Sequence, residues 1–186
     1  ILYGLKITFQ DVADVGWSGI AIDAAVLTST FVLAWWMGTR VFGLDRSMAL
    51  LIGAGSSICG AAAVMATEPV VRGRSQDVAV AISTVVVFGT IAMFLYPTIY
   101  KLNLIYNWIT LDAHGYGVFV GSTLHEVAQV VVAGRSISPE AANTAVIAKM
   151  VRVMMLAPLL ITLSAVIARP SDSSGGKIKT VVIPWF

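Results

Sequence analysis

From Gly16 onward the chain strings together five apolar stretches, each close to the ~20 residues a helix needs to cross the ~30 Å hydrocarbon core of a bilayer. They lie at about 16–38, 47–67, 77–97, 112–134 and 138–168. In lipid, backbone N–H and C=O groups must be bonded within the protein, so runs of this length are read as helices. Composition agrees. Charged residues make up 12% of the chain and apolar ones 58%, with a mean hydropathy of +0.86. A soluble domain carries about 25% charged residues, so an ordinary soluble globule is excluded. The expectation is an all-α polytopic membrane protein, with about five spans in one transmembrane domain over residues 1–186. A net charge of +2 without a Lys/Arg cluster gives no footprint for nucleic acid. The lone cysteine, Cys59, excludes a disulfide framework, and with only two histidines there is no zinc ligand set.

The start at Ile1 shows no signal peptide, and Val181–Phe186 reads like the opening of another apolar segment. The chain is therefore expected to be a piece of a longer membrane protein. Residues 1–15 read as a helix tail followed by a short amphipathic piece, and Arg169–Thr180 as a flexible connector. With five full spans, Arg40, Arg46, Lys101, Arg169, Lys177 and Lys179 share one side; Lys6, Arg72, Arg74 and Arg135 share the other. The first set is then expected to face the cytoplasm.

Two stretches carry features that an inert span does not need. The second contains Gly53-Ala54-Gly55-Ser56-Ser57-Ile58-Cys59-Gly60. Each glycine weakens a helix by about 1 kcal/mol relative to alanine, so this is where a membrane helix would unwind. Transporters use such breaks because freed N–H groups bind anions and freed carbonyls bind cations. Close helix packing through Ser56/Gly60 and Ala62/Ala66 explains the same residues, and both readings stay open. Gly55, Ser56, Ser57, Cys59 and Gly60 are the candidate substrate contacts here.

The fourth stretch places His125, Glu126 and Gln129 at the centre of an apolar run, next to Ser122. An ionisable side chain at that depth costs at least about 2.5–3.5 kcal/mol, which makes it a functional candidate by default. His125, Glu126 and Gln129 are the candidate proton-coupling residues; hydrogen bonding between helices is the alternative. His125-Glu126-Val127-Ala128-Gln129 lacks the second histidine of a zincin motif, so the metalloprotease reading fails. In the fifth stretch Lys149 and Arg152 share a helical face. A helix starting at Ser138-Pro139-Glu140 puts Lys149 about 15 Å deep, where the pair could hold an anion or neutralise Glu126; snorkelling at the interface is the alternative. Pro158 predicts a kink. Asp23 is read as interfacial and given no role. Glu68, Arg72, Arg74 and Asp77 are read as a solvated turn, and the methionines as packing or lipid-facing residues.

The chain resembles the YeiH-like family of sulfate exporters of the bacterial inner membrane. The resemblance is carried by Leu44-Asp45 leading into Gly53–Ala63, by Asp77–Ile82, by Gly121–Val131 and by Ala148–Pro158. It implies a multi-pass inner-membrane transporter, of which this chain is the middle and C-terminal portion. It also implies a relation to the cation–proton antiporter and bile-acid symporter superfamily, with inverted repeats and crossed, broken helices. The sulfate label implies the substrate class. One full span between the glycine-rich and His-Glu segments makes them run in the same direction, so they cannot be an inverted pair unless one is re-entrant; the true partner would then lie outside the chain.

The leading expectation is a secondary transporter for a small anion, sulfate or a related oxyanion or sulfonate, coupled to protons. Ser122, Lys149 and Arg152 join the glycine-rich segment as substrate contacts. The runner-up is a cation–proton antiporter with Glu126 as ligand; an intramembrane enzyme and a purely structural subunit are the other classes. Expected partners are the anion, protons or sodium, the lipid bilayer and, as one oligomeric option, a second copy. No nucleic acid, cofactor or metal is called for.

Overall fold

A computed structural model describes residues 16–168, with side chains from residue 21 to residue 167. The expected amphipathic piece, the connector after Arg169 and the closing apolar segment lie outside the described residues. Every regular element among them is helical: α1 Gly16–Arg40, α2 Arg46–Ser57, α3 Ala61–Val71, α4 Ser75–Tyr106, α5 Ala113–Thr123, α6 Val127–Arg135, α7 Pro139–Met154 and α8 Leu156–Ala168. The all-α polytopic reading holds.

The number of spans differs from the expected five. Among the described residues, three helical segments are long and apolar enough to cross a membrane: Ala21–Arg40, Ser75–Tyr106 and Pro139–Ile167. The other two stretches fold back on themselves. In α2–α3, Gly55 packs against Val64 and Gly73 against Leu51, and Arg74 reaches Asp45 at 2.7 Å. The chain enters at Asp45, turns at Ile58–Gly60 and returns to the side it left. In α5–α6, the Tyr116 hydroxyl donates to the Ala133 carbonyl at 3.4 Å, and Val120 shares a cluster with Val130. This is a second hairpin, turning at Leu124–Glu126.

The spans fix how the hairpins are placed. Gly38 packs on Ala49, Gly53 on Phe31, and Leu27 beside Ile58, so α2 runs antiparallel to α1 from the Arg40 end. Helix α4 then runs about 48 Å, at 1.5 Å per residue over its 32 residues. Its Val85 meets Gly55 near the first turn, and its Gly89 meets Gln129 near the second. Further along, Tyr96 packs on Phe119 and Tyr100 on Tyr116. The second hairpin therefore enters from the opposite face, and the two tips meet midway.

Local chemistry explains each junction. Gly60 adopts φ +70° and ψ −129°, a conformation closed to side chains with a Cβ, and it ends the first turn. Leu124 and Glu126 are extended, which separates α5 from α6. Asn103 pins the α4–α5 loop through both its amide groups to the Ile109 backbone, at 2.7 and 2.9 Å. Ser138 caps α7 by accepting from the Ala141 N–H, with Pro139 in the first turn, as expected from the sequence. The kink expected from Pro158 appears at Met155, where α7 gives way to α8; proline has no N–H for the carbonyl four residues earlier.

The hairpins redistribute the loop charges. Among the described residues, Arg40, Arg46, Arg72 and Arg74 now share one face, while Lys101 and Arg135 lie toward the other. Lys101 thus changes places with Arg72 and Arg74 relative to the five-span expectation. The excess on the Arg40 side, the side expected from the sequence to face the cytoplasm, sharpens among the described residues. Arg74 bonds Asp77 at 3.1 Å as well as Asp45, so the expected solvated turn is also the clasp at the hairpin base. The hydrogen bond with Asp77, and then the charges of Asp77 and Asp45, raise the pKa of the Arg74 guanidinium.

This arrangement predicts a labelling pattern. In a Cys59→Ser background, V41C and G73C should react with an impermeant maleimide from the same side of the membrane, and N107C from the other. Five full spans would put Val41 and Gly73 on opposite sides.

Candidate functional site

The two turns meet around the side chains of α7. A Cβ built on Gly60 would lie 3.2 Å from Glu126 Cγ and 3.5 Å from the His125 Cβ, so the tips touch. Lys149 is wholly buried, and its ammonium donates to both turns, to the Ile58 carbonyl at 2.5 Å and the Leu124 carbonyl at 2.6 Å. Arg152, 1% exposed, donates from Nε to the Ser57 carbonyl at 2.5 Å. The interior placement of both cations is therefore the observed one. These carbonyls are free because the helices end there. In lipid an unbonded carbonyl costs several kcal/mol, so each broken helix needs a donor from elsewhere.

Lys149 does not pair with Glu126, one of the expected options. Glu126 caps α6 instead: its carboxylate accepts from the Gln129 N–H, and the Glu126 N–H donates to Gln129 Oε1 at 3.2 Å. Gln129 also packs against Gly89 of α4. Gly60 offers no side chain to cap α3, and the Cys59 thiol beside it lies on the Ala63 N–H of the first turn, so the N-terminus of that helix opens on the meeting point.

Four buried polar atoms in this region have no hydrogen-bond partner: Asp23 Oδ1, Ser122 Oγ, His125 Nδ1 and Arg152 Nη1. Native proteins leave few such atoms, and a cluster of them marks a place where a polar ligand fits. Ser57, Cys59, Gly60, Ser122, His125, Glu126, Lys149 and Arg152 thus come together, as residues chosen from the sequence. Gly55 lies just behind the tip as a packing surface for Val64 and Val85; Ser56 is half-buried, and the Ser57 hydroxyl turns back to the Ala54 carbonyl at 3.3 Å.

Asp23 was missed. It is 3% exposed rather than interfacial, and lies beside Ser122 within electrostatic reach of Arg152 and Lys149. Ile58 and Leu124 were missed because they act through backbone carbonyls. A signal for the latter pair is present in the sequence. Gly55-Ser56-Ser57-Ile58 recurs as Gly121-Ser122-Thr123-Leu124, and Leu44-Asp45 at the first hairpin's start recurs as Leu111-Asp112 at the second's. In each repeat a span is followed by a hairpin, the two copies enter from opposite faces, and the matching residues Ile58 and Leu124 give their carbonyls to one lysine. The condition under which these segments can be an inverted pair is met, since both are re-entrant; what changes is that the partner lies within this chain.

A separate apolar cavity of about 300 Å³ lies between the far end of α4 and α5, lined by residues such as Tyr96, Tyr100, Trp108 and Phe119. It takes no part in the site.

Relatives of this chain are named as membrane proteins. A family profile described as "Conserved hypothetical protein 698" matches residues 1–186. A UPF0324 membrane protein of Pseudomonas aeruginosa is 63% identical, with all of this chain aligned to 53% of the relative. One from Yersinia pestis is 57% identical, with all of this chain aligned to 52%. The UPF0324 inner membrane protein YeiH of Escherichia coli K12 is 56% identical over the same share. This chain spans about half the length of these relatives. No solved structure matches. By this match along its whole length, the chain belongs to the conserved hypothetical protein 698 (UPF0324) family, the YeiH-like multi-pass proteins of the bacterial inner membrane.

Proposed function

We infer that the full-length protein is a secondary transporter for a small anion, of the size and charge of sulfate, a related oxyanion or a sulfonate, coupled to protons. The observation that carries this reading is the meeting of two oppositely entering hairpin tips around Lys149 and Arg152. Unpartnered donors, Arg152 Nη1 and Ser122 Oγ, lie there beside the N-terminus of α3. Re-entrant backbone at mid-membrane is kept where it lines a ligand site, and helix N-termini favour negative charge.

A cation–proton antiporter would use the broken-helix carbonyls as ligands. Here the Ser57, Ile58 and Leu124 carbonyls are already bonded to cationic side chains, which favours the anion. The proposal is transport rather than enzymatic turnover, so flux should require a sealed vesicle.

The test is exchange of labelled for unlabelled sulfate in proteoliposomes. Wild type should exchange, and Arg152→Gln should raise the half-saturating sulfate concentration about tenfold, the loss of one charge-assisted hydrogen bond. An unchanged half-saturation would remove Arg152 from the site.

A further inference from the structure

The buried carboxylate of Asp23 has no use in the anion site as described. Leu27, one helical turn further along α1, packs at the first tip beside Ile58. Four residues earlier on the same face of α1, Asp23 reaches past that tip to the second one, where it lies beside Ser122. Its Oδ1 and the Ser122 Oγ each lack a hydrogen-bond partner. Arg152 and Lys149 of α7 are the charged groups that face it, and the tips around it carry Cys59, His125 and Glu126. No ion pair within 4.0 Å joins Asp23 to Arg152 or Lys149, so Asp23 is near both cations without closing on either.

We propose that Asp23 is the proton-binding residue that couples the anion to the proton, by competing with the anion for Arg152. This rests on the anion reading above. An anion bonded to Arg152 Nη1 and Ser122 Oγ would sit against the Asp23 carboxylate. Two negative charges in a buried, low-dielectric site repel strongly, so anion binding favours the state in which Asp23 has taken up a proton. The reverse follows by linkage: protonation of Asp23 favours anion binding by the same factor. With the site empty, the carboxylate is free to lean on Arg152 and keep that cation compensated while the tips rearrange. One O–H bond forms at the carboxyl on one side of the membrane and breaks on the other; the proton travels with the anion. Glu126 is not needed for this role, since its carboxylate is held in the α6 cap.

Two measurements on the full-length protein test this. In weakly buffered detergent solution, adding sulfate to wild type should draw protons from the medium. In proteoliposomes, sulfate exchange should strengthen as pH falls, and an inward proton gradient should drive accumulation. Asp23→Asn should lose sulfate-linked proton uptake and the pH dependence of exchange, with gradient-driven accumulation falling about tenfold or more. Asp23→Glu, which keeps the carboxyl, should retain proton uptake, and so carries the test where the asparagine variant does not fold. Proton uptake in Asp23→Asn equal to that of wild type overturns the role of Asp23. So does sulfate binding to wild type with no proton uptake; in both cases anion transport stands. Wild type that neither binds nor moves sulfate, sulfonates or carboxylates overturns the anion reading itself.

Discussion

Replacing Lys149 with methionine is expected to abolish anion flux while leaving a folded, membrane-inserted protein. The ammonium bonds both hairpin turns, through the Ile58 and Leu124 carbonyls. A hydrogen bond from a charged donor contributes about 1.5–3 kcal/mol, so losing even one is worth roughly a factor of ten or more in the equilibrium that keeps the tips together. Against that, methionine of similar shape carries no desolvation cost, which offsets part of the cost of leaving the two carbonyls unbonded, and the apolar clusters away from the tips hold the helices together. Lys149→Arg should not rescue: the Lys149 side chain is fully enclosed, and a planar guanidinium has to displace one turn to fit. Sulfate exchange in proteoliposomes, beside a size-exclusion profile of the purified variants, checks both halves. Wild-type flux in Lys149→Met would show that the latch has no part in transport.

Gly121→Ala should act on the scaffold instead. A Cβ there would run into the Ala145 carbonyl oxygen and fall 2.8 Å from the Ala148 Cβ. A Cβ on Gly117, one turn earlier, would fall 2.7 Å from the Ala141 carbonyl oxygen. These glycines and alanines form a small-residue seam that lets α5 lie directly on α7, the usual way membrane helices approach closely. Backbone faces backbone, so no side chain can swing aside. Overpacking of this kind costs about 1–3 kcal/mol, and the shift it forces also pulls Leu124 off Lys149. The expected results are a lower midpoint of thermal unfolding in detergent and reduced flux. A midpoint equal to wild type would mean that the α5–α7 seam is looser than described.

The membrane class, the helical content and the chemistry at the centre were legible in the sequence, because they rest on composition and on charges in apolar runs. Lys149, Arg152, His125 and Ser122 stand out by the cost of placing them there. The path of the chain was not legible in the same way. A stretch such as 47–67 has the length of a span, and only the contacts of Leu51 with Gly73 and of Arg74 with Asp45 show that it turns back. The glycines marked where it breaks without saying that the return leg leaves by the entrance. Asp23 was misplaced for a related reason: its position near the start of α1 suggested an interface, whereas the second hairpin reaches down to it. The repeated Gly-Ser-Ser/Thr-Ile/Leu string was visible throughout, yet its meaning depends on two hairpins entering from opposite faces.

The most direct test of the central claim, an anion site where the two tips meet on Lys149 and Arg152, is the transient current from full-length protein adsorbed on a solid-supported membrane. Rapid jumps of sulfate, a sulfonate, a carboxylate and sodium would be compared in wild type and Lys149→Met. The account predicts a current for at least one of the anions, enlarged at low pH and absent in Lys149→Met. A current evoked by sodium and by none of the anions, or an anion current that survives in Lys149→Met, would contradict it.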